Sequence, residues 1–252
     1  MQKPLMCPYI PSDTVLKVLV AGNAPLKILE TLLLHGIDPI TTSPLKNLPL
    51  SLSRHADMQL VNVCEGVFVF APGTSNYILN SLNTLGFKLI RGDTTLKGSY
   101  PYDVAYNCAI VGKHAFLNPR YTDTKLLDLL RQSDIKVAPV KQGYAKCSTC
   151  ILNQEAIITA DISIHEKAIE MGLDSLLIPP QLSIRLNGYN YGFIGGSSGL
   201  ISKSELAFLG DFQTLESAEI MDEFMAKYGI TPVSLSHENI VDMGGIIPLC
   251  SV

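Results

Sequence analysis

AEIMDEFMAKYGITPVSL, residues 218–235, reads as an apolar helix, a glycine and a short strand in direct succession. Ile220, Phe224, Met225 and Tyr228 recur at i, i+4, i+5 and i+8, which places them along one helix face. Gly229 can then adopt the left-handed conformation that ends a helix, and an extended run follows at once. The same cassette occurs four more times: LKILETLLLHG-IDPITT from Leu26, YILNSLNTLG-FKLI from Tyr77, KLLDLLRQSD-IKVAPV from Lys125 and HEKAIEMG-LDSLLIPP from His165. The breaks fall at Gly36, Gly86, Asp134, Gly172 and Gly229, in steps of 50, 48, 38 and 57 residues. A period of this size marks a repeat architecture. Asp134 is the one break without a glycine, and Asp enters the left-handed region more readily than most residues.

Between the cassettes lie stretches that read as paired strands. They are HADMQLVNVCEGVFVFAP from His55, PYDVAYNCAIVGKHAFLNP from Pro101, GYAKCSTCILNQEAIITAD from Gly143, GYNYGFIGGSSGLISKSELAFLGD from Gly188 and ENIVDMGGIIPLCSV from Glu238. In the first four an apolar run meets a turn signal and a second apolar run, the signals being Cys64-Glu65-Gly66, Gly112-Lys113, Asn153-Gln154 and Gly195-Gly196. The unit is strand, turn, strand, helix, strand, and VLKVLVAG from Val15 completes the last, interrupted unit. The expected fold is an α/β propeller of five pseudo-symmetric hairpin, helix and strand modules around a central axis, one domain over residues 1–252. An α/β sandwich with a parallel sheet is the simpler alternative, but it has no need of the hairpin between each helix–strand pair.

Composition narrows the function. About 47% of the 252 residues are apolar and mean hydropathy is +0.25, enough for a sizeable core. The net charge of −4, with 19 basic residues and no basic run, gives no electrostatic footprint for nucleic acid or an anionic membrane. No stretch approaches the roughly 18 apolar residues of a membrane span. The start MQKPLMCPYIPSD has no apolar signal region, so a cytoplasmic location is expected, with the six cysteines as free thiols.

If the ring forms, the start of each hairpin faces its axis. Those positions hold His55, Asp57 and Gln59, then Tyr102, Asp103 and Asn107, then Tyr144, Lys146 and Cys147, then Tyr189, Asn190 and Tyr191, and finally Asp242. Carboxylates, amides, phenols and a lysine converging on one pocket suit a small zwitterionic or cationic ligand. The plainer role for each Asp is to cap a turn or to bond backbone where the ring closes. Cys147-Ser-Thr-Cys150 has metal-ligand spacing, yet a strand turns residues at odd separation to opposite faces, so no metal is expected there. Gly192 to Gly199 lacks the Gly-Lys-Ser/Thr ending of a phosphate loop and reads as a place of close backbone approach. No cofactor is expected, the partner is a small molecule, and oligomerisation is left open.

Five such modules ending in a C-terminal cysteine resemble the pentein, or guanidine-modifying-enzyme, fold of arginine deiminases, amidinotransferases and dimethylarginine dimethylaminohydrolases. Residues 230–252, ITPVSLSHENIVDMGGIIPLCSV, are similar to the ending of the last of these, and PYDVAYNCAIVG and GYAKCSTC are weaker matches. HADMQ, YPYDVAYN, GYNYGFIGG and DMGGIIPLC look more like a bacterial branch of that fold. The resemblance implies chemistry in which a Cys thiolate attacks a guanidinium carbon, a His serves as acid and base, and carboxylates hold the cation. It assigns the nucleophile to Cys250, although the spacing GG-IIPL-C departs from the pattern. The His position falls on Ala145 and its supporting acid on Tyr100. General acid–base help is typically worth 10²–10⁴-fold, so the expectation is a pentein-fold protein that binds a guanidino- or amino-acid-like ligand without standard guanidine hydrolase activity. Two alternatives are a Cys-dependent hydrolase or amidinotransferase using Cys250 with a base relocated to His55 or His237, and a non-catalytic interaction scaffold.

Overall fold

The computed structural model describes residues 3–252, whose strands fall into five small sheets. After β1 (Lys3–Pro4) the chain forms β2 (Val15–Val20), α1 (Leu26–Leu34) and β3 (Asp38–Thr41), with β3 parallel to β2. A single helical turn, α2 (Ala56–Gln59), leads into the hairpin β4 (Leu60–Cys64) and β5 (Val67–Phe70); α3 (Asn76–Thr84) then returns the chain to β6 (Lys88–Arg91), parallel to β5. The third module repeats this with β7 (Ala109–Val111), β8 (His114–Leu117), α4 (Thr124–Gln132) and β9 (Lys136–Pro139). The fourth uses β10 (Thr149–Ile151), β11 (Ala156–Thr159), α5 (Ile162–Glu170) and β12 (Asp174–Leu177). The fifth uses β13 (Ser198–Ser202), β14 (Glu205–Phe208), α6 (Ala218–Ala226) and β15 (Thr231–Ser234). The last strand, β16 (Ile247–Ser251), pairs antiparallel with both β2 and β1 and so completes the first module from the far end of the chain.

Each cassette break does what its residue type requires. Gly36, Gly86, Gly172 and Gly229 have φ of 75°, 88°, 81° and 66°, and Asp134 adopts 54°. A Cβ at any of the four glycines would meet nothing within 4 Å, so the demand there is conformational rather than steric. The helices present an i, i+4 pair to the sheet: Ile28 and Leu32, Ile78 and Leu82, Leu126 and Leu130, Ile164 and Ala168. In α6 the matching pair is Met221 and Met225, with Phe224 beside them. Ile220, placed on the apolar stripe by spacing, is 45% exposed, because the five-helix register puts its neighbour against the sheet.

A second correction concerns Gly195-Gly196. The hairpin turns instead at Lys203-Ser204, between β13 and β14, and Gly195–Ser197 forms a short 3₁₀ turn ahead of β13. These glycines answer to crowding: a Cβ on Gly195 would sit 2.2 Å from the Thr149 carbonyl oxygen, and one on Gly196 2.1 Å from Asp242 Oδ1. Among the described residues no helix is long and apolar enough to cross a membrane.

Candidate functional site

The polypeptide between the sheets brings four modules to one cavity of about 240 Å³. His55 and Cys147 lie at its buried end with Asp242, while the exposed Tyr189 and Asn190 stand at its mouth. Its sides are aromatic: Tyr144, Tyr191 and Phe193, with Leu52 and Leu186. The rings adjoin one another, with centroids 5.7 Å apart for Tyr100–Tyr144, 6.1 Å for Tyr144–Phe193 and 6.4 Å for Tyr191–Phe193. A wider cleft of about 680 Å³ shares His55, Leu186 and Asp242 with the cavity and adds Arg54 and Arg185.

The floor is polar and buried. The Cys147 thiol donates to Asp57 Oδ2 at 2.9 Å. Asn107 holds both in register: its Oδ1 accepts from the backbone N–H of Lys146 (2.7 Å) and Cys147 (3.2 Å), and its Nδ2 lies 3.2 Å from Cys147 Sγ and 3.3 Å from the Asp57 carbonyl oxygen. Asp242 accepts from the Phe193 N–H at 2.8 Å and the Gly244 N–H at 3.2 Å, and its Oδ1 stands 3.8 Å from His55 Nδ1. Lys146 donates to the Gly195 carbonyl oxygen at 2.9 Å, its ammonium 5.6 Å from the centre of the Tyr9 ring. Glycine makes this crowding feasible, since a Cβ on Gly244 would come 2.7 Å from Asp57 Oδ1.

Burial sets the charge states. It pushes the Asp242 carboxyl up to about 6, against the pull of two backbone amides and Lys146. Burial also raises Asp57, with Lys146, His55 and the Cys147 thiol pulling the other way. His55 is driven down by burial, which leaves it a neutral imidazole at pH 7, and burial together with the two acids pushes the Cys147 thiol far up. The floor therefore gathers two carboxyl groups that burial holds toward their neutral forms beside the Cys147 thiol.

Several axis residues named from the sequence meet here: His55, Asp57, Asn107, Lys146 and Asp242 belong to the floor or to its supporting bonds. Asp103 is one step removed, accepting the Tyr144 hydroxyl at 2.7 Å and so fixing a wall. Gln59 is buried elsewhere, donating to the carbonyl oxygens of Ser43 and Ser53 at 2.9 and 2.8 Å. Tyr102 is 58% exposed and faces Lys97. Cys250 sits within β16 opposite Pro4 and Lys17, packed in the largest apolar cluster, and does not line the cavity. Strand pairing holds it there, and the thiol at the cavity is Cys147. His237 is exposed on a loop, so of the two candidate relocated bases only His55 reaches the site. Ala145 is fully buried in the apolar core, and Tyr100 packs over Gly143. The sequence placed Cys147 on the same axis as His55 and Asp57 but assigned the reactive thiol to Cys250, and it gave no sign of the direct Cys147–Asp57 bond across about ninety residues of chain.

A family model described as "Family of unknown function (DUF6873)" matches residues 19–247. The chain belongs to that family. No curated protein matches it significantly. Solved structures do match: inosamine-phosphate amidinotransferase from Streptomyces griseus at TM-score 0.58 and 10% identity, covering 98% of this chain and 97% of the other. The agmatine deiminase of C. jejuni gives 0.54 and 10%, covering 94% and 90%. DDAH from Pseudomonas aeruginosa, complexed with citrulline, gives 0.53 and 10%, covering 88% and 93%. At such identity the likeness fixes the fold, which is that of the pentein superfamily.

Proposed function

We propose that this protein binds a small organic cation, of guanidino or amino-acid type, in the cavity between the acidic floor and the aromatic walls. The observation that carries the reading is the pairing of two buried carboxyl groups, Asp57 and Asp242, at the floor with tyrosine and phenylalanine faces above it. A guanidinium or ammonium there gains carboxylate partners and cation–π contact, the latter worth about 0.5–2 kcal/mol. Arg54 and Arg185 in the adjoining cleft suit a carboxylate at the ligand's other end, which favours a zwitterion. The fold neighbours include proteins named for guanidino substrates, consistent with that ligand class. Thermal-shift titration tests it: arginine raises Tm more than agmatine, which has no carboxylate, and Arg185→Ala removes that difference. Equal shifts from neutral citrulline and from arginine would overturn it.

Cys-dependent guanidine chemistry is a second reading, favoured by the thiol–carboxylate hydrogen bond with His55 beside it. In it Asp57 takes the thiol proton, the thiolate attacks the guanidinium carbon, and the proton held on Asp57 passes through the neutral His55 imidazole to the departing amine. The resting thiol is protonated, so this chemistry waits on the bound cation to lower its pKa. Amine release from arginine or agmatine, abolished in Cys147→Ser and kept in Cys250→Ala, supports it; no turnover leaves the protein a binder.

A further inference from the structure

His55, Asp57 and Cys147 each offer one ligand atom, these atoms all lie within 4.8 Å of one another, and all three residues are buried. We propose that this trio binds one thiophilic divalent cation, zinc(II) foremost, at the floor of the cavity, with a remaining coordination position turned toward the cavity space. The donor set of thiolate, imidazole and carboxylate is the borderline-soft mixture that zinc takes, and three protein ligands with an open fourth position is the arrangement of a reactive rather than a purely structural site.

Independent observations point to the same ion. Asp57 Oδ1 and His55 Nδ1 are buried and have no hydrogen-bond partner among the described residues, whereas nearly all buried polar atoms have one. A supporting group stands behind the sulfur: Asn107 Nδ2 lies 3.2 Å from Cys147 Sγ, suited to a thiolate. Tetrahedral zinc needs ligand–ligand edges of about 3.3–3.5 Å; the thiol–carboxylate pair at 2.9 Å is tighter and no pair exceeds 4.8 Å, so side-chain rotation closes the sphere. On binding, the Cys147 S–H bond breaks, a sulfur–metal bond forms and the proton leaves to solvent; nothing is oxidised or reduced. Cys150, whose sulfur accepts from the Ser198 hydroxyl, takes no part.

Cobalt(II), a spectroscopic stand-in for zinc, provides the test. Titrated into the metal-free protein, it gives a sulfur-to-cobalt charge-transfer band and tetrahedral d–d bands that saturate at one equivalent and vanish on adding one equivalent of zinc(II). Cys147→Ser abolishes the charge-transfer band, His55→Ala weakens zinc binding by at least about 100-fold, and Cys150→Ala and Cys250→Ala leave both unchanged. A measurement on the unsubstituted protein guards against a variant that fails to fold: zinc protects Cys147, located by mass mapping, from iodoacetamide. Absence of a saturating band, its survival in Cys147→Ser, or alkylation of Cys147 at the same rate with and without zinc would overturn the proposal. The proposal shares Asp57 with the organic-cation reading but fails separately: arginine binding with no cobalt spectrum sinks this one and leaves that one standing.

Discussion

Asp123, at the N-terminus of α4, accepts hydrogen bonds from the N–H groups of Asp93, Thr94 and Leu126 and from the Tyr106 hydroxyl. Burial alone would raise its carboxyl, but these donors outweigh burial and hold it below the ordinary carboxylate value. A depressed native pKa stabilises the fold above the unfolded value near 3.9, and that contribution disappears as pH falls through the native value. Asp123→Asn is expected to lower stability at pH 7 by about 2 kcal/mol, with the gap to the unsubstituted protein narrowing below pH ~4. Urea melts across that range check it, and a pH-independent gap would show that the charge is not the source. This cap was readable only in part: Asp before a helix is a local signal, whereas the donors at Asp93 and Thr94 arrive from another module. The same limit explains the site. His55, Asp57 and Asp242 are visible as polar residues at module starts, but nothing near Cys147 in the chain announces its bond to Asp57.

Among the elements, the five cassette breaks form an internal experiment. Four glycines and one aspartate occupy the same left-handed conformation, with open space around the glycines. Gly86→Ala should destabilise by about 1 kcal/mol, and Asp134→Gly should stabilise by somewhat less, since a non-glycine residue is strained there by roughly 1–2 kcal/mol. Equilibrium unfolding measures both; a neutral Gly86→Ala would mean the break is not the helix stop it is taken for. These breaks were legible because φ preference is a property of one residue. The stripe of α6 was one residue out because Ile220 and Met221 are both apolar, and only packing against the sheet selects Met221. Gly195-Gly196 misled for a related reason: glycine signals a turn or a close approach, and here the carbonyl oxygens of Thr149 and Lys146 and the Asp242 carboxylate make it the second.

Over the whole molecule, the ends of the chain join through the pairing of β16 with β2, so the C-terminal strand carries part of the first module's core. Leu249 in β16 is fully buried in the largest apolar cluster. Leu249→Ala should cost about 2–5 kcal/mol and lower the melting temperature of a transition that remains single. Two resolved transitions would mean that the modules unfold separately, as in an open repeat array. The same closure fixes Cys250 within the sheet and leaves the centre to residues from other modules. The most direct test of that centre is calorimetric titration of arginine into the unsubstituted protein, Asp242→Asn and Cys250→Ala. The account predicts one-to-one binding in the first and third, and at least about a tenfold loss in Asp242→Asn, the scale of one charge-assisted hydrogen bond. Binding that survives Asp242→Asn and fails in Cys250→Ala would contradict it.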